Sequence, residues 1–483
     1  MRNCILIFIS LFIVQTVSSQ YNIEFNIKPL SNDTVILAHY LSKSFSVQDT
    51  SVTDENGKVV FSGKNSLPQG LYIVYISPSL RFDIIVGEDQ EFTVKTDTTN
   101  FINNTSVSGS NENQYFFEYQ HFIAERRSTG ANLQERLKKP VSIEDSTTAR
   151  LEFDKINLEV KDFTEKLIDR SKGLFISKFL LSLKDVVPPP SPLNETGDVI
   201  DPAFQVKYIK HHYWDFFDLS DVRLLRTPIY EDKLKNYLEN WIYPVPDSIF
   251  EEVDFLIEKS RSDSLLFRYM LTTLFNHYAR SKFVGMDAIF IYIAEKYYIP
   301  EATWADKKFK EDLKERVIKQ SPLLLGKIAP DVQLVWVDDD HFKVAAIDTS
   351  IKKDPYAGEL FNLHSIKAKY IVLYFWEPEC GHCKKVIPEL HQVFLRNKDK
   401  GLQVIAINIL GYPKKDTWVD FINQHNLFGW INAWNPYNTE PSYRDLYNIE
   451  SSNILYLLDV DKKIIVKFIG PEQVEEIINN EMK

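Results

Sequence analysis

The segment Lys369–Trp376 is a near-continuous apolar run of strand length. Runs of this kind are typical of parallel strands that are buried on both faces. The run leads through residues 377–379 to Cys380, and a helical pattern then extends from Gly381 to about Leu395. The sequence therefore predicts a buried strand, a tight turn and a helix, with Cys380 close to the helix N-terminus.

The number and spacing of the cysteines limit the kinds of site that this turn can form. The chain has 483 residues and three cysteines, which are Cys4, Cys380 and Cys383. Structural disulfides of exported proteins usually join distant segments, whereas Cys380 and Cys383 are close in sequence and have no second pair beside them. A lone C-x-x-C pair is more typical of a redox-active or metal-binding site than of a structural disulfide.

The N-terminus has the pattern of a secretory signal. Arg2 gives a positive start, Ile5–Val14 is a short apolar run, and residues 17–19 form a small-residue cleavage site. The run is shorter than the about 20 apolar residues that a membrane-spanning helix needs. We therefore expect residues 1–19 to be removed, and the mature chain to be exported to the periplasm or cell envelope without a stable membrane span. The alternative is an uncleaved N-terminal anchor.

Length and charge set wider limits. At about 100–200 residues per domain, the chain is long enough for roughly two to four domains. Its formal net charge is −11, and its basic residues form no cluster. This balance argues against nucleic acid or anionic lipid as the main partner.

Residues 20–110 have the pattern of a β-rich domain. Short segments rich in β-branched and aromatic residues alternate with turn formers such as Asn56-Gly57. The predicted strands are Tyr21–Ile27, Thr34–Tyr40, Lys58–Gly63, Gly70–Ile76, Phe82–Val86 and Glu91–Thr96. Many short strands with regular turns predict a small β-sandwich.

Residues 111–320 have helical periodicity instead. Apolar residues recur at helical spacing in Ser171–Leu183 and Asp263–Tyr278. Pro188–Pro192 predicts an exposed linker, and Ala288–Ile293 predicts a packed core helix. From Pro322 onward strand and helix signals alternate, so residues 321–483 are predicted to form an α/β domain. The predicted fold class is multidomain, with a β-sandwich-like, an α-helical and an α/β part in that order.

The turn offers two thiols with different expected roles. Unpaired N–H groups at a helix N-terminus favour an anion, which lowers the pKa of a nearby thiol and favours the attacking thiolate. As a cation or donor, His382 acts in the same direction on Cys380, whereas negative charge on Glu377 and Glu379 raises a thiol pKa. Cys383 has the spacing needed to attack a mixed disulfide and release it.

The C-terminal third carries an ordered set of segments. They are Gly326–Pro330, Tyr374–Trp376, the Cys380–Cys383 motif, Pro388, Val404–Asn408, and Leu455–Asp459 before residues 461–463. In this order they resemble the TlpA/ResA branch of the thioredoxin-like superfamily, and the preceding parts resemble β and helical modules of such envelope proteins. The resemblance implies a thioredoxin fold in which Cys380 attacks, Cys383 resolves, and Trp376 and Pro388 support them. No cofactor and no metal are predicted.

Three positions depart from the pattern of that branch. Many members carry Trp before the first cysteine, where this chain has Glu379, and reducing members often place Glu at the position of Val386. A cis-Pro usually faces the cysteines, and the corresponding residue here is Asn453. Because a cis bond costs about 2.5–4 kcal/mol before residues other than Pro, we expect a trans bond and a reshaped loop at Asn453, with slower or less specific exchange.

The sequence as a whole predicts an exported thiol–disulfide oxidoreductase that acts as a reductase or isomerase of envelope proteins. The branch suggests reduction, while Gly-His between the cysteines resembles the isomerases. Expected partners are protein thiols and disulfides and an unidentified redox donor. Two alternatives stay open. One is an envelope interaction protein with a degenerate thioredoxin-like domain, and the other is a module in which both thiolates and His382 bind copper(I) or zinc.

Overall fold

A computed structural model describes residues 20–139, 142–348, 350, 358–410, 415–435 and 441–480. The predicted secretory signal, residues 1–19, lies outside the described residues. The chain divides into two compact units, Met1–Ile242 with Glu258–Phe267 and Tyr243–Ile257 with Arg268–Lys483. The domain boundaries after residues 110 and 320 stay predictions.

The N-terminal part is built of two sheets, each with four strands among the residues described. The strands are β1 (Tyr21–Lys28), β2 (Thr34–Leu41), β3 (Ser44–Val52), β4 (Lys58–Gly63), β5 (Gly70–Ser77), β6 (Leu80–Val86), β7 (Glu91–Asp97) and β8 (Ser106–Ser108). Their orders are β4-β1-β7-β8 and β3-β2-β5-β6. Side chains of both sheets, including Phe25, Phe61 and Tyr72, share one buried core, which confirms the predicted sandwich. Strand β3 has no clear sequence signal, because most of its side chains are exposed.

Helices dominate the next part of the chain. They are α1 (Asn111–Lys138), α2 (Ile143–Arg170), α3 (Phe175–Ser182), α4 (Phe204–His212), α5 (Val222–Leu225), α6 (Ile229–Asn240), α7 (Pro246–Ser260), α8 (Ser264–Ala279), α9 (Asp287–Ile293), a π-helical segment (Ala294–Tyr298), α10 (Ile299–Glu301) and α11 (Lys307–Gln320). The predicted core helix is confirmed, since Ile289, Phe290 and Ile293 of α9 are buried. None of the helices in the described ranges is long and apolar enough to cross a membrane.

A mixed sheet with helices organises the C-terminal part. The strands are β9 (Gln333–Val337), β10 (Glu359–Asn362), β11 (Tyr370–Trp376), β12 (Leu402–Asn408), β13 (Ile431–Trp434), β14 (Ile454–Leu458) and β15 (Ile464–Lys467). The helices are α12 (Asp339–Ile347), α13 (Cys383–Asn397), α14 (Lys415–His425), α15 (Tyr443–Tyr447) and α16 (Pro471–Asn480), and 3-10 turns lie at Ser321–Leu323, Leu363–Ser365 and Lys398–Lys400. The strand order is β10-β9-β13-β12-β11-β14-β15. This arrangement confirms the predicted α/β class.

Strand β11 positions the cysteines. It pairs in parallel with β12 and antiparallel with β14, and every one of its residues is buried. Its side chains alternate between two cores, because Tyr374 and Trp376 pack with residues of α13 while Leu373 and Phe375 pack on the opposite face. The apolar run in the sequence is continuous because both faces of the strand are covered.

The substitution Leu373→Ala tests the central position of β11. Leu373 is fully buried, so we expect its truncation to leave a cavity and to lower the free energy of unfolding by about 3 kcal/mol. Chemical denaturation followed by tryptophan fluorescence measures this change. Val460→Ala is the control, because that side chain is 61% exposed and its loss should change stability by no more than about 0.5 kcal/mol. Equal effects of the two substitutions would contradict the placement of β11.

Candidate active site

The two cysteines lie where strand β11 leads into helix α13. Trp376 ends the strand, residues 377–382 form the turn, and the helix begins at Cys383. Cys380 is partly exposed on the turn, whereas Cys383 is buried in the core. One thiol can therefore meet a partner from solvent while the other stays inside the protein.

Backbone N–H groups at the start of α13 face the first sulfur. The N–H of Cys383 donates a hydrogen bond to Cys380 Sγ at 3.2 Å. The carbonyl of Cys380 accepts a hydrogen bond from Lys384 N at 3.1 Å, which joins the turn to the helix. His382 occupies the N-cap, but its side chain makes no capping hydrogen bond. The first turn of the helix can therefore stabilise negative charge on Cys380.

The surroundings lower the pKa of Cys380. Burial alone would raise this pKa, but hydrogen bonds from the Cys383 thiol, the Ser452 hydroxyl and the backbone N–H groups of residues 382 and 383 favour the thiolate more strongly. Ser452 Oγ also lies 3.2 Å from Glu377 Oε1, so its single hydroxyl proton can be donated either to that carboxylate or to the sulfur. At neutral pH the thiolate population of Cys380 exceeds that of an ordinary cysteine.

The pKa of Cys383 shifts in the opposite direction. Burial, followed by the hydrogen bond to Cys380, raises the pKa of Cys383 to about 11. A hydrogen bond from Tyr374 lowers this pKa only in part. The pKa values of the two thiols therefore shift in opposite directions, so Cys380 ionises more readily than Cys383, which is the separation of roles that sequential attack and resolution require.

A buried tyrosine connects Cys383 with the loop before β14. The Tyr374 hydroxyl donates a hydrogen bond of 2.7 Å to Asn453 Oδ1 and is also hydrogen-bonded with Cys383. Burial first, and the charge of Cys383 next, raise the pKa of Tyr374 far above its usual range, so the hydroxyl stays a donor. The sequence does not predict Tyr374 as a site residue. The one feature that could have indicated it is a polar hydroxyl on an otherwise apolar buried strand, six positions before Cys380.

The loop at Asn453 is fastened to the end of β11. Asn453 has a φ of 69°, in the left-handed region that asparagine tolerates better than most residues. The bond between Ser452 and Asn453 is trans, and the Asn453 N–H donates to the Phe375 carbonyl at 2.8 Å. A proline, with φ near −65° and no N–H, could neither adopt this φ nor donate this hydrogen bond. The loop thus carries Ser452 to Cys380 and Asn453 to Tyr374.

The other predicted supporting residues surround this group. His382 and Glu379 are exposed on the turn. Trp376 is fully buried and packs on Phe421, with ring centroids 5.1 Å apart. Pro388 lies inside α13 on its exposed side, where it removes one helical N–H donor.

The site therefore consists of both cysteines and a small polar network. The structure brings together the predicted Cys380, Cys383 and Asn453, and it adds Ser452 and Tyr374. The last two carry no motif, because their roles depend on a loop and a strand that are distant in sequence. Within the described ranges, no three His, Cys, Asp or Glu side chains are grouped as a metal ion would require.

Comparison with known protein families matches three segments of the chain. Residues 368–464 match a family described as thioredoxin-like. Residues 21–116 match a domain of unknown function, DUF4369, and residues 192–320 match another, DUF5106. The cysteine turn lies within the thioredoxin-like segment.

Curated relatives match the same C-terminal part. The thiol-disulfide oxidoreductase ResA of Bacillus thuringiensis (strain Al Hakam) is 26% identical over 123 residues, which cover 25% of this chain and 66% of that protein. The protein of the same name from Oceanobacillus iheyensis is 24% identical over 141 residues, which cover 29% of this chain and 62% of that protein. The chain thus spans slightly less than two thirds of the length of these relatives.

Solved structures also align with the chain. A domain of a possible thiol-disulfide isomerase from Cytophaga hutchinsonii is 31% identical and covers 34% of this chain and 95% of its own, with a TM-score of 0.27. A thioredoxin-like protein from Bacteroides caccae is 20% identical and covers 62% of this chain and 99% of its own, with a TM-score of 0.42. The match at residues 368–464 shows that the C-terminal part of the chain contains a thioredoxin-like domain.

Proposed function

We propose that the protein is an exported thiol–disulfide oxidoreductase that exchanges disulfides of envelope proteins through Cys380 and Cys383. The observation that carries the proposal is the opposite shift of the two thiol pKa values, with a lowered pKa at partly exposed Cys380 and a pKa of about 11 at buried Cys383. Because the thiolate is the attacking species, the reactive sulfur is also the accessible one. Similarity to the ResA proteins supports the same chemistry.

In the first proposed step, the Cys380 thiolate attacks one sulfur of a substrate disulfide. A new S–S bond joins Cys380 to the substrate, the substrate S–S bond breaks, and its other sulfur leaves as a thiolate that takes up a proton. In the second step Cys383 loses its proton to solvent and attacks Cys380 Sγ. The second substrate sulfur is released and protonated, and the protein keeps the Cys380–Cys383 disulfide, so two electrons have passed to the substrate.

Tyr374 supports the second step. The thiolate of Cys383 forms in a buried place, where an unpaired charge is costly. The Tyr374 hydroxyl, which stays protonated, can donate to that thiolate, and Asn453 accepts its hydrogen bond at 2.7 Å when Cys383 is protonated. Asn453 therefore keeps the donor in place between turnovers.

The proposed partners follow from this cycle. A protein disulfide is the substrate, and an external thiol donor returns the Cys380–Cys383 disulfide to two thiols. Reduction and isomerisation share the first step. They differ in whether Cys383 or a second substrate thiol attacks the mixed disulfide.

Trapping the mixed disulfide tests the proposed function. With insulin as the disulfide substrate, we expect Cys383→Ser to accumulate a covalent adduct through Cys380, because no resolving thiol remains. Cys380→Ser, the matched control, should form no adduct. Non-reducing electrophoresis and mass spectrometry of the adduct measure both results. Absence of insulin reduction by the intact protein, together with no adduct in Cys383→Ser, would contradict the proposal.

The pKa of Cys380 should depend on Ser452. Removal of the hydroxyl in Ser452→Ala takes away a hydrogen bond to the thiolate and should raise that pKa, so that the thiolate fraction at pH 7 falls by about fivefold. The rate of iodoacetamide alkylation of Cys380 across pH 5–9 measures the change, since alkylation slows as the pH drops through the pKa. Ser451→Ala, on the exposed neighbouring residue, is the control. Identical pH profiles for the two variants would show that Ser452 does not affect the pKa of Cys380.

Tyr374→Phe should slow resolution without affecting attack. Loss of the hydroxyl leaves the Cys383 thiolate without that donor, and we expect the mixed disulfide to decay about tenfold more slowly. Rapid mixing with a fluorescent disulfide peptide resolves its formation from its decay. The control is Tyr447→Phe, which loses a hydroxyl that donates to the Pro330 carbonyl. A decay rate equal to that of the control would exclude a role for Tyr374.

A further inference from the structure

A cavity of about 360 Å³ lies in the second compact unit, and no residue of the cysteine site lines it. Its walls come from the end of α8 and the following loop, from α9, α11 and α15, and from β14 and β15. Six of its lining side chains are aromatic, and these are Tyr278, Phe283, Phe290, Tyr447, Tyr456 and Phe468. The volume falls within the range of small-molecule sites, which are about 300–1,000 Å³.

Unpaired positive charge lines the same cavity. The Arg316 guanidinium lies over the Phe290 ring, 4.5 Å from its centroid, and the side chains of Arg316 and Lys282 make no hydrogen bond or ion pair with any described residue. The carboxylate on the described lining, Asp287, pairs with Lys467 at 2.5 Å through Oδ2, while its Oδ1 is buried without a hydrogen-bond partner, so the lining carries more cations than carboxylates. In a chain of net charge −11, a cavity with two unpaired cations favours an anionic ligand.

The backbone holds one aromatic wall in a strained conformation. Phe468 has a φ of 60°, which is unusual for a bulky residue and marks a position that the surroundings enforce. Its N–H donates to the Leu455 carbonyl at 2.9 Å, and its ring lies 5.9 Å from that of Tyr456. The Phe468 side chain is nevertheless 63% exposed. An exposed ring that is held in place at a cavity wall is suited to stacking on a ligand.

We propose that this cavity binds a small planar aromatic molecule with one anionic group, such as an aromatic carboxylate or sulfonate. The aromatic walls pack on its rings, and Phe468 covers one face. The Arg316 guanidinium, already oriented on Phe290, pairs with the anionic group, and Lys282 adds a second positive charge. The site is independent of the redox proposal, because its ligand meets neither cysteine.

Equilibrium dialysis of the full chain against two matched probes tests the proposal. The probes are 1-naphthalenesulfonate and the neutral 1-naphthalenemethanol. We expect one sulfonate to bind per chain, with a Kd about tenfold lower than that of the neutral probe. Arg316→Gln should raise the sulfonate Kd about tenfold and leave the neutral probe unchanged. Arg127→Gln removes the same charge at an exposed position outside the cavity and should have no effect.

Phe468→Gly separates binding from folding. Glycine adopts positive φ without strain, so the melting temperature should stay equal or rise, while the affinity for both probes falls because the stacking ring is lost. The proposal is overturned if both probes bind equally well, if several sulfonates bind per chain, or if Arg316→Gln binds sulfonate as tightly as Arg127→Gln does. Undiminished binding in a stably folded Phe468→Gly variant would overturn it as well.

Discussion

Strand β11 is enclosed on its edges by β12 and β14 and on its faces by two separate cores. A strand packed in this way cannot shift without disturbing both cores, since protein interiors are close-packed. Both segments that meet the sulfurs depend on it. Helix α13 follows the turn at its C-terminal end, and the Asn453 loop is hydrogen-bonded to the carbonyl of Phe375. The geometry of the cysteine pair is therefore set by the burial of one strand.

The chemical difference between the two thiols follows from that geometry. The turn leaves Cys380 partly exposed at the start of a helix, where N–H groups and the Ser452 hydroxyl favour its thiolate. The helix carries Cys383 into the core, where burial opposes ionisation. In the proposed cycle, the Tyr374 hydroxyl, held by the Asn453 amide oxygen, is a protonated donor beside the buried thiol that must ionise for resolution. Three polar side chains, Ser452, Tyr374 and Asn453, together with burial and the helix N-terminus, thus distinguish two chemically identical groups.

Local patterns predicted much of this fold. The continuous apolar run of β11 predicts a strand that is buried on both faces. In the N-terminal strands, the alternation of apolar and polar residues predicts which face is buried, because successive side chains of a strand point to opposite faces. Strand β3 escaped prediction because its side chains are mostly exposed. Ser452 and Tyr374 escaped it for a different reason. The residues that they contact are distant in sequence, so no spacing along the chain indicates which hydroxyl groups will lie beside the cysteines.

At Asn453, where the chain departs from the family pattern, only part of the local structure can be predicted from the sequence. The sequence predicts a trans bond at this position. The structure adds that Asn453 has a left-handed φ, that its N–H donates to the Phe375 carbonyl, and that its amide oxygen accepts a hydrogen bond from Tyr374. Through Tyr374, the last contact connects the loop with Cys383. No rule based on sequence spacing contains it, since 79 positions separate Tyr374 from Asn453.

The difference in ionisation between the two thiols can be measured directly. In the chain without residues 1–19, in which Cys380 and Cys383 are the two cysteines, ¹³Cβ-cysteine labelling lets an NMR titration follow each thiol separately. We predict that Cys380 titrates below the ordinary range of a cysteine thiol and that Cys383 titrates near pH 11. Coincident titrations, or ionisation of Cys383 before Cys380, would contradict the assignment of attacking and resolving roles.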